Sequence, residues 1–202
     1  MNLHPHAKTA LITAAALLPA LAIAHTGGDA GAHHGSAFME GFAHPFTGLD
    51  HLAAMVTVGI WSAMAFSGNT ARVMVAPVAF ALLLLIGGLL GFAGVQLPGV
   101  EPMIAASLLV LGLLLASRAK LPVTAGAVLA GGFALFHGVA HGYELPAEHA
   151  IGALSGMVLG TMILHVAGIA IGHFVLQRNV WLPRVTGGAV ALLGLGLLAG
   201  VA

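Results

Sequence analysis

Two short stretches concentrate the side chains able to do chemistry. The first, residues 44–59, reads HPFTGLDHLAAMVTVG and offers His44, Asp50 and His51. The second begins at Phe136, reads FHGVAHGYE, and offers His137, His141 and Glu144 at spacings i, i+4 and i+7. On one helix that spacing is a single stripe along one face. Two histidines at i and i+4 can hold one ion from a single helix, as in zinc sites of the HExxH type. In the first stretch, His44 and His51 share nearly one face of a continuous helix. Asp50 points about 100° away from His51 at 3.6 residues per turn. Pro45 suits a first helical turn, which would make His44 a cap rather than a helical residue. Gly138 and Gly142 are expected to keep the approach to the second stripe open. Nitrogen and oxygen donors without sulfur suit Ni²⁺, Co²⁺ and Zn²⁺ and disfavour Cu⁺, whereas Mg²⁺ wants mainly oxygen. Spacing alone does not choose among nickel, cobalt and zinc.

These groups sit in an unusual medium. Of 202 residues, 59% are hydrophobic and 6% charged, against about 25% charged in a soluble domain. The expectation is an integral membrane protein. Net charge is zero and basic residues are sparse, so nucleic acid is not an expected partner. The absence of cysteine removes disulfides, thiolate metal sites and cysteine nucleophiles together. Twelve histidines stand out against so few charges. Neutral imidazole is both a metal ligand and tolerable inside a membrane. A charged group at the bilayer centre costs about 2.5–3.5 kcal/mol even on the lenient insertion scale, so intramembrane ionisable residues mark function.

The elements that position them follow from hydropathy. Residues 1–24 read as a cleavable signal peptide: Lys8, then the apolar run 10–23, then Ala22-Ile23-Ala24 as a small-residue cleavage pattern. The competing reading, a retained first helix, is weakened by the short run and by Pro19. Residues 25–41 form a flexible His-rich tail, with His25, His33 and His34, that either gathers cations or is a solvated linker. Residues 42–202 hold six apolar segments at about 42–66, 73–95, 102–117, 123–142, 151–176 and 183–201, each near the length of about 20 residues that crosses a bilayer. The fold expected is an all-α, six-helix transmembrane bundle. Short connections make neighbouring helices antiparallel. Arg72, Arg118, Lys120, Arg178 and Arg184 then fall on one side, and Glu101, Glu144 and Glu148 on the other. The positive-inside rule makes the basic side cytoplasmic, which places the chain in a bacterial inner membrane with both mature termini in the periplasm. Glycines at 152, 156 and 160, then 168 and 172, read as helix-packing residues. Met55, Met64, Met157 and Met162 read as gap-fillers.

Depth links the two stretches. The polar residues come early in the first, inward-running segment and late in the fourth, outward-running one. Both therefore fall in the outer half of the membrane and form one shared site. Six segments also divide as three plus three, an inverted repeat of the kind common in secondary transporters, with one polar cluster in the first helix of each half. His165 and His173 lie deeper in segment five and read first as interhelical hydrogen-bond partners, with a second cation station as the alternative. His149 reads as a solvated residue at the outer mouth.

At this point the residues resemble a known family. HPFTGLDHLAAMVTVG is similar to the H-P-x-x-G-x-D-H signature of the HupE/UreJ nickel/cobalt permeases, and FHGVAHGYE to that family's second motif, F-H-G-x-A-H-G-x-E. The resemblance implies secondary uptake of Ni²⁺ or Co²⁺ to supply hydrogenase, urease or cobalamin-related enzymes. It carries functional roles to His44, Asp50, His51, His137, His141 and Glu144. The cation is then cargo, with no permanently bound cofactor and no enzymatic activity, and a homo-oligomer is compatible with the sequence. The inside-negative potential would favour uptake by about 2.3 kcal/mol per charge per 100 mV. No nucleotide-binding motif points to ATP. Because ligating imidazoles must be neutral, uptake should weaken in acid. Two other classes compete. A membrane-embedded zinc hydrolase would use the same cluster with Glu144 or Asp50 as base. A b-type haem protein would clamp its iron between facing histidines. A serine protease built on Ser155-Gly156 lacks a dedicated base.

Overall fold

The computed structural model describes residues 37–145, 149–175 and 178–200, all within one compact unit, Gly35–Ala202. The expected signal peptide and residues 25–36 of the tail lie outside the described residues. Seven helices and no strand are found among the described residues: α1 (Ala37–Thr47), α2 (Leu49–Ala65), α3 (Thr70–Phe92), α4 (Val100–Ser117), α5 (Val123–Glu144), α6 (Ala150–Phe174) and α7 (Trp181–Leu198). The last five are long and apolar enough to cross a membrane, and α1 and α2 together pass the same test as a broken span. Large side chains such as Leu82, Leu89, Leu113 and Leu192 are left more than half exposed on the outside of the bundle. An apolar exterior of that kind is a liability in water and a contact surface in lipid. The chain is a multi-pass membrane protein.

The first apolar segment departs from expectation. It is not one helix over 42–66 but two, bent by 80°, and helix begins at Ala37, inside the residues assigned to the tail. Pro45 lies inside the last turns of α1 rather than opening a helix, so His44 is a helical residue and not a cap. The break falls at Gly48, whose φ of −91° and ψ of 124° are extended. Thr47 Oγ1 donates to the His44 carbonyl at 2.8 Å, satisfying an acceptor at the end of α1. Past the break, Asp50 stands in the first turn of α2. Its Oδ1 accepts the His51 backbone N–H at 2.8 Å, and a carboxylate is favoured at a helix N-terminus by the helix dipole. A β-carbon at Gly48 would lie 2.9 Å from Asp50 Oδ1 and 3.0 Å from His51 Nδ1. The glycine in the first motif thus leaves room for the Asp50–His51 pair to fold back over the break.

Helix α2 is the centre of the bundle, buried almost continuously from Ala54 to Ala63. The broadest helix contacts pair α3 with α5, α4 with α7, and α6 with both α1 and α2. Glycines let these pairs close. Gly138 and Gly142 of α5 press on Gly87, Gly88 and Gly91 of α3; a β-carbon at Gly142 would stand 2.7 Å from the Gly91 Cα. This corrects the expectation that Gly138 and Gly142 keep the histidine stripe open. Each follows a histidine by one residue, so it faces α3 about 100° round the helix from the stripe. Gly156, Gly160, Gly168 and Gly172 of α6 do pack against α1 and α2, as expected.

Candidate functional site

The bend at Gly48 and the straight run of α5 bring both polar stretches together. His51 is the hub: its ring centroid lies 4.4 Å from His141, 5.0 Å from His137 and 6.4 Å from His44. His44 and His141 are 4.7 Å apart. His137 and His141 are fully buried and His51 nearly so. Glu144 closes the exposed end of the cluster. Its Oε2 is 3.0 Å from His44 Nε2 and 3.4 Å from His141 Nδ1. His44, His141 and Glu144 can each turn one ligand atom to within 4.8 Å of the others. Asp50 is placed differently. Its Oδ1 takes both the His51 backbone N–H and the His51 ring Nδ1, the latter at 2.8 Å. It also lines a cavity of about 230 Å³ with Glu101 and Pro102 of α4 and Leu197 and Leu198 of α7.

The hydrogen bonds settle which nitrogen of each buried ring is free. An ionised carboxylate only accepts, so His51 Nδ1 carries a proton toward Asp50 and His141 Nδ1 one toward Glu144. Their Nε2 atoms are then bare lone pairs. His137 is fixed through an intermediary: Ser107 Oγ gives its single proton to the Ile104 carbonyl at 2.6 Å and so accepts from His137 Nε2 at 3.0 Å. That leaves the lone pair on His137 Nδ1. Within the cluster, His51 Nε2, His137 Nδ1 and His141 Nε2 are buried without a hydrogen-bond partner. Burying a polar atom unsatisfied is costly; these three sit on rings packed about His51, and the group whose ligand atoms lie within 4.8 Å of one another among the described residues is His44, His141 and Glu144. A histidine whose far nitrogen donates to a carboxylate or hydroxyl is the arrangement that orients metal-ligating imidazoles. On this geometry Asp50 orients His51, whereas Glu144 both orients His141 and offers oxygen.

The six residues singled out from the sequence are all present in or against this cluster. Ser107 was not foreseen. Its signal was a single hydroxyl in the middle of the apolar α4, and nothing in one sequence says that this hydroxyl faces His137. His149 is exposed, as expected for the mouth. His173 is exposed, lies apart from the cluster, and packs beside Phe174. Rings in contact at 4.4 and 5.0 Å leave no slot for a macrocycle between His51 and the α5 histidines, so the cluster does not fit the haem alternative.

Comparison with known proteins agrees with the motifs. The sequence profile described as HupE / UreJ protein matches residues 13–197. The chain belongs to the HupE/UreJ family. One relative is Protein HupE of Rhizobium leguminosarum bv. viciae, 42% identical over 197 residues, which cover 96% of this chain and 99% of that protein. No solved structure matches. Membership spans nearly the whole chain, so the bent α1–α2 unit and the α5 stripe both lie inside the HupE/UreJ region.

Proposed function

We propose that the protein is a secondary transporter that moves Ni²⁺ or Co²⁺ across the bacterial inner membrane into the cytoplasm, for metalloenzymes such as hydrogenase or urease. The observation that carries this reading is the trio of buried imidazoles, His51, His137 and His141, each with its far nitrogen held by an acceptor and its near lone pair unpartnered. Nitrogen-rich donors with one carboxylate suit these borderline cations. His44 and Glu144, partly exposed at the outer rim, receive the ion as it sheds water. The three deeper imidazoles then replace that water. The cation is cargo, and the membrane potential drives it inward. Basic side chains at one end of the bundle and acidic ones at the other support an outward-facing cluster, with both mature termini periplasmic after removal of residues 1–24.

The helix pairing supports a three-plus-three inverted repeat. Exchanging the two halves converts the pairing of the α1–α2 unit with α6 into α5–α3 and returns α4–α7 to itself, and these are the broad contacts. Alternating access would then rock one half against the other around the shared site. The test is radiolabelled Ni²⁺ and Co²⁺ uptake by cells carrying the wild type or His137→Ala. Uptake should fall to background in the variant at equal membrane abundance. Equal uptake by the two would remove the cluster from the transport path.

A further inference from the structure

One more ionisable ring is fully buried, and the outer cluster does not use it. His165 of α6 is 0% exposed. Its Nδ1 lies 2.7 Å from the Met55 carbonyl of α2. A carbonyl only accepts, so Nδ1 carries the proton and Nε2 is a bare lone pair. That Nε2 is buried without a partner. The bond to Met55 explains why α6 presents a donor here, but an amide side chain would supply that. It does not explain a second, unsatisfied nitrogen in an apolar interior, where such a group costs free energy. The tautomer is fixed in the same sense as in the outer cluster: an acceptor holds the far nitrogen and a lone pair is left facing the packed interior.

The position is equally specific. Met55 is one turn beyond His51 along α2, farther from the outer rim marked by Glu144. The phenyl ring of Phe80, fully buried on α3, touches both levels, with its centroid 5.7 Å from His137 and 5.1 Å from His165. Thr161, one turn before His165 on α6, donates to Met55 Sδ at 3.4 Å, so both polar residues of this face brace the same methionine. Resting on the transport reading above, we propose that His165 Nε2 is a second, deeper coordination station, reached by the divalent cation from His137 past the ring of Phe80. A station with one imidazole nitrogen binds more weakly than the outer trio. Passage requires sites that hold an ion loosely enough to release it.

His165→Asn separates the two roles of the ring, because its amide can still donate to the Met55 carbonyl but supplies no nitrogen lone pair. The variant, the wild type and His137→Ala are purified in detergent and reconstituted into liposomes. Co²⁺ affinity and melting temperature are read in detergent, and Co²⁺ uptake in liposomes with an entrapped chelating dye. His165→Asn should melt as the wild type does, keep the Co²⁺ affinity of the outer cluster, and lose at least tenfold in uptake rate. Uptake within twofold of the wild type overturns the proposal, since a hydrogen-bond donor would then be all that His165 supplies. Loss of outer-cluster affinity together with uptake also overturns it, since the residue would be acting through the packing of Met55. If His165→Asn does not fold, His165→Gln, whose longer amide reaches the same carbonyl, is read by the same criteria. Wild-type uptake by His137→Ala would instead sink the transport reading on which the second station rests.

Discussion

Ser107→Ala is the sharpest test of the hydrogen-bond logic, because Ser107 touches the candidate site only through His137. Both residues are fully buried, and the hydroxyl accepts from His137 Nε2 at 3.0 Å while donating to the carbonyl of Ile104. Removing it has two outcomes. If the ring keeps its proton on Nε2, a buried N–H is stranded at a cost of about 1–3 kcal/mol. If the proton moves to Nδ1, that cost is relieved, but the unpartnered lone pair on Nδ1 is lost. Either path weakens His137 as a ligand. Loss of such an orienting partner typically costs 10–100-fold in metal affinity, or about 1.4–2.8 kcal/mol. The Ile104 carbonyl loses only an extra bond within its own helix, so the fold should survive. The assay is Co²⁺ titration of the purified protein by calorimetry, with the melting temperature as the control for folding. Affinity within twofold of the wild type at unchanged melting would refute the argument, because the position of the proton on His137 would then not matter.

Other outcomes follow from the same geometry. Asp50→Asn keeps an oxygen able to accept from His51 Nδ1, so uptake should survive in part, whereas Asp50→Leu should abolish it and destabilise the start of α2; uptake and thermal melting separate the two. Gly142→Ala places a β-carbon 2.7 Å from the Gly91 Cα, and prising α3 from α5 should cost about 1–3 kcal/mol, as overpacking does, read as a lower melting temperature. A proton competes with the cation for each bare imidazole nitrogen. Uptake should therefore be fullest at neutral external pH and fall as the medium is acidified; a flat profile in the uptake assay would count against imidazole ligation.

Much of the site was legible because it is written along single helices. His137, His141 and Glu144 share a face through helical periodicity alone, and the structure keeps them on one stripe. The two clusters meet because one comes early in the first apolar segment and the other late in the antiparallel fourth. Other features were not legible, since they depend on what one helix meets on another. Gly138 and Gly142 look like open space beside a ligand, but their lack of a β-carbon is used up against α3. The rigid spans were harder to divide: Pro45 and Gly48 marked trouble in the first segment without saying whether it would kink, cap or break.

By itself the sequence determined the medium, the approximate extent of the apolar segments, and the candidate donor residues, because hydropathy and helical spacing are local properties of the chain. Only the tertiary structure decided that the first segment breaks by 80° at Gly48, that Ser107 of α4 holds His137, and that the Met55 carbonyl holds His165. The physical reason is that an imidazole has two nitrogens, and which one is free for a cation depends on an acceptor contributed by a distant part of the chain.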